Sequence, residues 1–315
     1  MAITDGTVGQ KAYLRGSELR WAWLSLAVGT LLLVIKLVAY FLTGSQAVFS
    51  DALENVVNVI TAAFAVYAIS LAHRPADAEH PYGHGKIEFF SAGFEGSMVL
   101  LASLVIAGKV VLSWLRREQL VVQKLDVGLL LMAIALVVNG ALGLALWYRG
   151  RKNKALTLEA GGIHLMVDAL DSVVALAAIA IVRLTGWVWA DTAGALAVAL
   201  YIAVLGLRLL KRSTAGLMDE QNPQEWKQLQ AILDSHLGPG GKEPRICSYH
   251  KLRIRHTGRS CWVDFHIMVP KSWTIEQGHC VASAIEHEIE LALGEANATA
   301  HVEPCEDAEC PQCIG

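Results

Sequence analysis

Six stretches of this 315-residue chain, at approximately 21–43, 46–72, 89–115, 126–148, 157–183 and 187–210, are apolar over bilayer length. A helix needs about 20 mostly apolar residues to cross the hydrocarbon. The first run is too long for a cleaved signal peptide, and five more follow it. Residues 213–315 differ in kind, with 8 Lys and Arg against 15 Asp and Glu. An apolar front and an acidic, polar back describe a membrane domain joined to a soluble one, and the sign of the polar part argues against a nucleic-acid partner. The six cysteines, at 247, 261, 280, 305, 310 and 313, all fall in the polar part. That placement fits a reducing compartment better than a disulfide scaffold.

Loop charges orient the spans. With the N-terminus inside, the internal segments hold twelve Lys and Arg and the external loops hold four, Arg116, Arg117, Lys124 and Arg183. Both termini and the C-terminal domain are then expected in the cytoplasm. Trp187 and Trp189 suit an interfacial belt at the outer end of the sixth span.

A charge at the centre of a spanning helix costs about 2.5–3.5 kcal/mol on insertion scales, so each one needs a reason. The second span carries Asp51, Glu54 and Asn55, with Asn58 one turn on; the fifth carries His164, Asp168 and Asp171. Asp51 and Asn55 are at i,i+4 and share a helix face, as do His164 and Asp168. Brought together, the two faces offer two carboxylates, an imidazole and an amide oxygen, a ligand set for a divalent first-row metal. The other reading is helix–helix hydrogen bonding. Ligands must lose protons to bind the ion, so metal–proton exchange follows from the chemistry. Glu54 points about 100° away from Asn55, which leaves it as a supporting group, a proton carrier or a salt-bridge partner. Lys36 and Asn139 read as snorkelling or packing residues.

Between spans two and three, Asp77, His80 and His84 have i,i+3 and i,i+4 spacing, but Pro81, Gly83 and Gly85 disfavour a regular helix, so a ligand-bearing turn is expected. In the polar part, 224–237 reads as an amphipathic helix, 251–255 and 261–269 as a hairpin, 274–293 as a second helix and 299–303 as a short strand. Cys310 and Cys313 form a C-x-x-C that can hold a soft metal or serve redox chemistry.

With Asp51-x-x-x-Asn55, His164-x-x-x-Asp168 and the run His80-Pro81-Tyr82-Gly83-His84-Gly85-Lys86, the chain resembles the cation diffusion facilitator family over about residues 15–304, closest to its bacterial YiiP-type zinc transporters. The resemblance implies a six-helix membrane bundle with a C-terminal αββαβ, α+β domain of ferredoxin or metallochaperone type. It divides the chain into an N-terminal segment (1–20), a transmembrane domain (21–212), a metal-binding dimerisation domain (213–304) and a Cys-containing tail (305–315). It implies a homodimeric divalent-cation/proton antiporter of the bacterial inner membrane, working by alternating access, with Zn2+ as substrate and regulatory ion. Asp51, Asn55, His164 and Asp168 match its transport site, and Asp77, His80 and His84 its loop site. His250, His266, His279, His301 and Glu303 match its cytoplasmic site, and Lys86 and Asp219 an intersubunit charge pair. Zinc-transporting relatives usually carry Asp or His where this chain has Asn55, so Co2+, Ni2+, Fe2+, Mn2+ and Cd2+ stand beside Zn2+ as substrates. The alternative is a membrane-tethered metal sensor that does not transport. An enzyme is not expected: His287-Glu288 lacks the second His of a zincin motif, and no phosphate-cradling loop points to a nucleotide.

Overall fold

The computed structural model describes residues 5–43, 46–116, 125–185, 189–238, 240–306 and 310. Six long helices come first: α1 (Asp5–Thr43), α2 (Gln46–Ala72), α3 (Ile87–Arg116), α4 (Leu125–Lys152), α5 (Leu156–Thr185) and α6 (Trp189–Leu217). They correspond to the six expected spans. The first begins well before Trp21, with no proline between Asp5 and Arg20 to interrupt it. Among the described residues, α1, α2, α3, α4 and α6 each contain a stretch long and apolar enough to cross a membrane. The chain forms two compact units, Met1–Thr214 and Ala215–Gly315.

The first unit inverts the pattern of a water-soluble protein. Phe41, Val137 and Leu200 are 79%, 67% and 69% exposed, while Glu18, Lys36, Asn55, Glu95 and His164 are buried. Apolar surface outside and polar groups inside suit a lipid solvent, where a lipid-facing polar group has nothing to bond. Glycines let α4 and α5 pack closely. A Cβ on Gly143 would lie 2.9 Å from the Met166 backbone nitrogen, and one on Gly162 would collide with the Trp147 backbone. Small residues at such contacts allow close backbone approach within membranes. Glu159 at the start of α5 takes two hydrogen bonds from Arg212 near the end of α6, at 2.7 and 3.0 Å. Buried Glu18 accepts from Asn153 at 3.0 Å and lies 3.4 Å from His73, joining α1 to the ends of α4 and α2.

The second unit has the expected αββαβ order: α7 (Pro223–Ser235), β1 (Ser248–Thr257), β2 (Ser260–Val269), α8 (Ile275–Leu293) and β3 (Ala296–Pro304). Asn222 caps α7, with Pro223 in its first turn, and Thr274 with Gln277 forms a capping box on α8. The sheet order is β1-β2-β3, antiparallel then parallel. One sheet face carries Val263, Phe265, Ile267 and Val269 of β2 into a core with Leu229 and Leu233 of α7 and Ile285 and Ile289 of α8. The outer edge of β3 is not left bare: Glu290 and Glu286 accept from the backbone N–H groups of Ala298 and Ala300 at 3.2 and 2.8 Å.

Candidate metal centre

Within the membrane unit, Asn58 of α2 joins two of the expected ligand residues, both on α5. Its Nδ2 donates to Asp168 Oδ2 at 2.6 Å, and its Oδ1 lies 2.8 Å from His164 Nε2. A carboxylate oxygen accepts, so the amide nitrogen must face Asp168, and His164 must donate from Nε2 to the amide oxygen. In neutral His164 the Nδ1 lone pair is then the atom left to bind. That atom is buried with no hydrogen-bond partner among the described residues. Glu95 of α3 is 2% exposed, and its Oε2 is likewise unpartnered among the described residues. Glu95, His164, Asn58 and Thr61 line one cavity, and a Cβ on Gly161 would come within 3.4 Å of Glu95 Oε1. Buried polar atoms without partners are uncommon in native proteins, and such atoms around a cavity are what a cation site needs.

Asn55 occupies a different position. It is 4% exposed, and its Oδ1 accepts from Lys36 Nζ at 3.0 Å. Lys36 does not snorkel to the interface: it is 6% exposed and hydrogen-bonded inside the bundle. A buried ammonium keeps an acceptor close, and Asn55 supplies one. Asn139 is buried as a packing residue would be. Asp51, Glu54 and Asp171 lie on α2 and α5, with side chains outside the described residues.

The loop cluster forms a turn rather than a helix. Asp77 Oδ1 accepts from the backbone N–H groups of His80 and Glu79 at 2.7 and 3.1 Å and lies 3.2 Å from His80 Nδ1. Its Oδ2 lies 3.3 Å from His84 Nε2, and the two imidazoles are 4.5 Å apart. The three side chains present ligand atoms within 4.8 Å of one another. The backbone N–H of His80 holds the Asp77 carboxyl below its ordinary value, against some desolvation; the two imidazoles add to the effect.

In the second unit a row of histidines runs across the strands. His250 pairs with His266 on β1–β2, and His266 pairs with His301 on β2–β3. Glu303, two residues beyond His301 and on the same face, lies 2.8 Å from His266, 3.2 Å from His250 and 3.7 Å from His301. An irregularity in β1 makes the row possible. Between His250 and Arg253 the register slips by one residue, at Lys251 with φ 51°. Ile254 faces the core; without the slip, His250 would share its parity and point there too. The bulge turns it to the open face. The hydrogen bond from His266 is the leading cause that holds the Glu303 carboxyl below its ordinary value, with His250, His266 and Lys251 adding positive charge. His279 is exposed on α8, and the structure does not bring it to this row. His236 and His256 have structural partners. Buried His236 bonds the Pro244 carbonyl at 2.8 Å and Glu288 at 3.2 Å, and His256 meets Glu225 at 2.7 Å.

Residues 22–218 match the family model described as the cation efflux transmembrane domain, and residues 241–305 match the cation efflux protein cytoplasmic domain. The chain belongs to the cation efflux family. It is 38% identical over 287 residues to an uncharacterized transporter, sll1263, of Synechocystis sp., covering 91% of this chain and 90% of that one. A cation-efflux pump, FieF, of Klebsiella pneumoniae is 27% identical over 283 residues, covering 88% and 90%. Among solved structures, a putative zinc transporter CzrB in its zinc form is 24% identical, with a TM-score of 0.26, covering 29% of this chain and 97% of that one.

The cation efflux family consists of membrane transporters, not enzymes, and this chain is an integral membrane protein of that kind. Two residues enter the intramembrane cluster beyond those singled out as ligands, Asn58 and Glu95. The signal for Glu95 was present in the sequence: it is a carboxylate within the apolar run of the third span, the kind of residue that always needs a reason there. Lys86 and Asp219 fall in different compact units, Lys86 just before α3 and Asp219 just after α6 with φ 57°. Cys310 is buried, and Cys313 lies outside the described residues.

Proposed function

We propose that this cation efflux protein exports a divalent transition-metal ion, Zn2+ foremost, from the cytosol in exchange for protons. It works as a homodimer that alternates access across a bacterial inner membrane, with both termini cytoplasmic. Co2+, Ni2+, Fe2+, Mn2+ and Cd2+ are further substrates of the same site. The observation that carries this reading is the Asn58 bridge between His164 and Asp168, with Nδ1 of His164 and Oε2 of Glu95 buried beside it and unpartnered among the described residues.

In this mechanism Asp51, His164 and Asp168 hold the ion, Lys36 engages the Asn55 amide oxygen, and Asn58 sets the imidazole so that Nδ1 faces the ion. Glu95 adds a third carboxylate. A dication together with the Lys36 ammonium balances the three negative charges, which suits a low-dielectric interior. Release on the outer side follows when protons replace the ion on the carboxylates and imidazole. Asp77, His80 and His84 serve as a loop site. His250, His266, His301 and Glu303 form a regulatory site whose occupation tightens the dimer, and Lys86 with Asp219 contributes a charge pair to that dimer.

The test is proton flux driven by a metal gradient in vesicles reconstituted with the full chain. Wild type should couple metal entry to proton movement, and Asp51→Ala, His164→Ala and Asp168→Ala should abolish it. Normal flux in all three variants ends the proposal. Tight metal binding by wild type with no flux identifies a membrane-tethered sensor instead.

A further inference from the structure

Three cysteines outside both histidine clusters converge at the far end of the central strand. Cys247 directly precedes β1 and Cys305 directly follows β3, 58 positions apart in the chain. Because β1 runs antiparallel to β2 and β3 runs parallel to it, the start of β1 and the end of β3 meet at the same end of β2. Backbone hydrogen bonds pin both. The Cys247 N–H donates to the Met268 carbonyl at 2.8 Å, and the Cys305 N–H donates to the Val269 carbonyl at 2.8 Å. Cys310 returns to the same place after the strand, and the sulfur atoms of all three lie within 4.8 Å of one another. Cys305 and Cys310 are 7% and 5% exposed, Cys247 is half-buried, and none of the three is in a disulfide among the described residues.

The geometry points to a thiolate site for a soft cation of the zinc, cadmium or cuprous class, built from Cys247, Cys305 and Cys310. It is distinct from the histidine row on the open face of the sheet. Zinc–sulfur bonds of about 2.3 Å in a tetrahedral shell place ligand sulfurs about 3.8 Å apart, so side-chain adjustments of an ångström or less close these three around an ion. Two buried thiols and one half-buried one are an apolar cluster when protonated. Deprotonated they need a compensating cation, and a thiophilic metal offers both the charge and the bond that thiolate prefers. Hard ions, which favour oxygen, gain little here.

Two backbone hydrogen bonds fix the strand-end positions of Cys247 and Cys305 before any metal arrives, and Cys310 already lies buried beside them. The exposed Cys280, on α8, takes no part and provides an internal control.

Cadmium added to the purified full chain, kept reduced in detergent, tests this. A thiolate-to-cadmium charge-transfer absorption should appear in the wild type, survive His250→Ala with His266→Ala, and be lost in Cys247→Ser and in Cys305→Ser. Imidazole and carboxylate ligands do not produce that band, so the histidine row does not mimic the result. Serine variants that fold poorly do not leave the question open, because alkylation mapped by mass spectrometry on the unaltered chain gives a second reading. Cadmium should slow modification of Cys247, Cys305 and Cys310 together and leave Cys280 as reactive as before. A wild type without the band, a band at full strength in either serine variant, or protection that spares Cys247 and Cys305 overturns the proposal.

Discussion

Asn58 donates to Asp168 across 2.6 Å and so ties α2 to α5, elements whose bonded residues are 110 positions apart. The oxygen of the same amide accepts a hydrogen bond from His164 Nε2 at 2.8 Å, which fixes the imidazole tautomer as well as its orientation. Outer hydrogen-bond partners of metal ligands typically change affinity about 10–100-fold when removed. Asn58→Ala should therefore weaken metal binding by roughly that factor. Asn58→Ser should recover part of it, since a hydroxyl offers both a donor and an acceptor. Calorimetric titration of the purified protein with zinc reads both.

Lys36 shapes what Asn55 can do. Its ammonium sits 3.0 Å from the Asn55 amide oxygen, inside the bundle. Asn55→Asp alone should form an ion pair with Lys36 and leave zinc affinity little changed. Lys36→Met with Asn55→Asp should raise zinc affinity over cobalt and manganese, beyond the sum of the single changes. Competition uptake in vesicles with paired metals measures this non-additivity.

Glu95 contributes charge at the cavity without touching Asn58 or Asp168 through any hydrogen bond among the described residues. Glu95→Gln keeps its shape and removes the charge. Metal affinity should fall by roughly tenfold or more, as expected for losing one unit of opposite charge in a desolvated site. Titration with zinc at fixed pH gives the value, and unchanged affinity removes Glu95 from the site.

Close packing of α4 on α5 sets where His164 stands, two residues after Gly162. Gly162→Val forces a side chain into the Trp147 backbone. Overpacking of this kind costs about 1–3 kcal/mol. The variant should lose thermal stability in detergent and also transport, because the displaced helix carries His164. Gly108→Val, where a Cβ would meet open space, should do neither.

The lowered pKa of Glu303 makes an acid-side dependence. A carboxyl whose folded value is depressed stabilises the fold above its ordinary pKa of about 4.3, and that contribution drains as pH falls through the lower folded value. Hydrogen exchange of β2 and β3 peptides in the metal-free chain should therefore quicken on acidification below the ordinary glutamate range. Glu303→Gln should show a flatter response there. Exchange that depends on pH equally in both chains removes Glu303 from the effect.

The spans, the loop turn and the αββαβ order were all readable from the chain, because apolar run length, proline and glycine placement and alternating strands are local properties. The assignment within α2 was not. Asp51, Asn55 and Asn58 all lie near one helix face, and nothing in their spacing says which neighbour each will meet. Packing turned Asn55 toward Lys36 and Asn58 toward His164 and Asp168. The same limit applied to His250. Its place beside His266 depends on a one-residue slip that even spacing to Ile254 conceals.

The amino-acid sequence alone determined the number of membrane-length helices, the polar residues that must have a purpose inside them, and the histidine wealth of the second unit. Each follows from the free energy of a short segment in lipid or in a strand, which needs no knowledge of distant neighbours. Tertiary structure alone decided which side chains share a site: Asn58 with His164 and Asp168, Glu95 in their cavity, Cys247 with Cys305 and Cys310. Helix rotation, strand register and the ends of a sheet are set by packing between remote segments, and only that packing brings these polar and thiol side chains together.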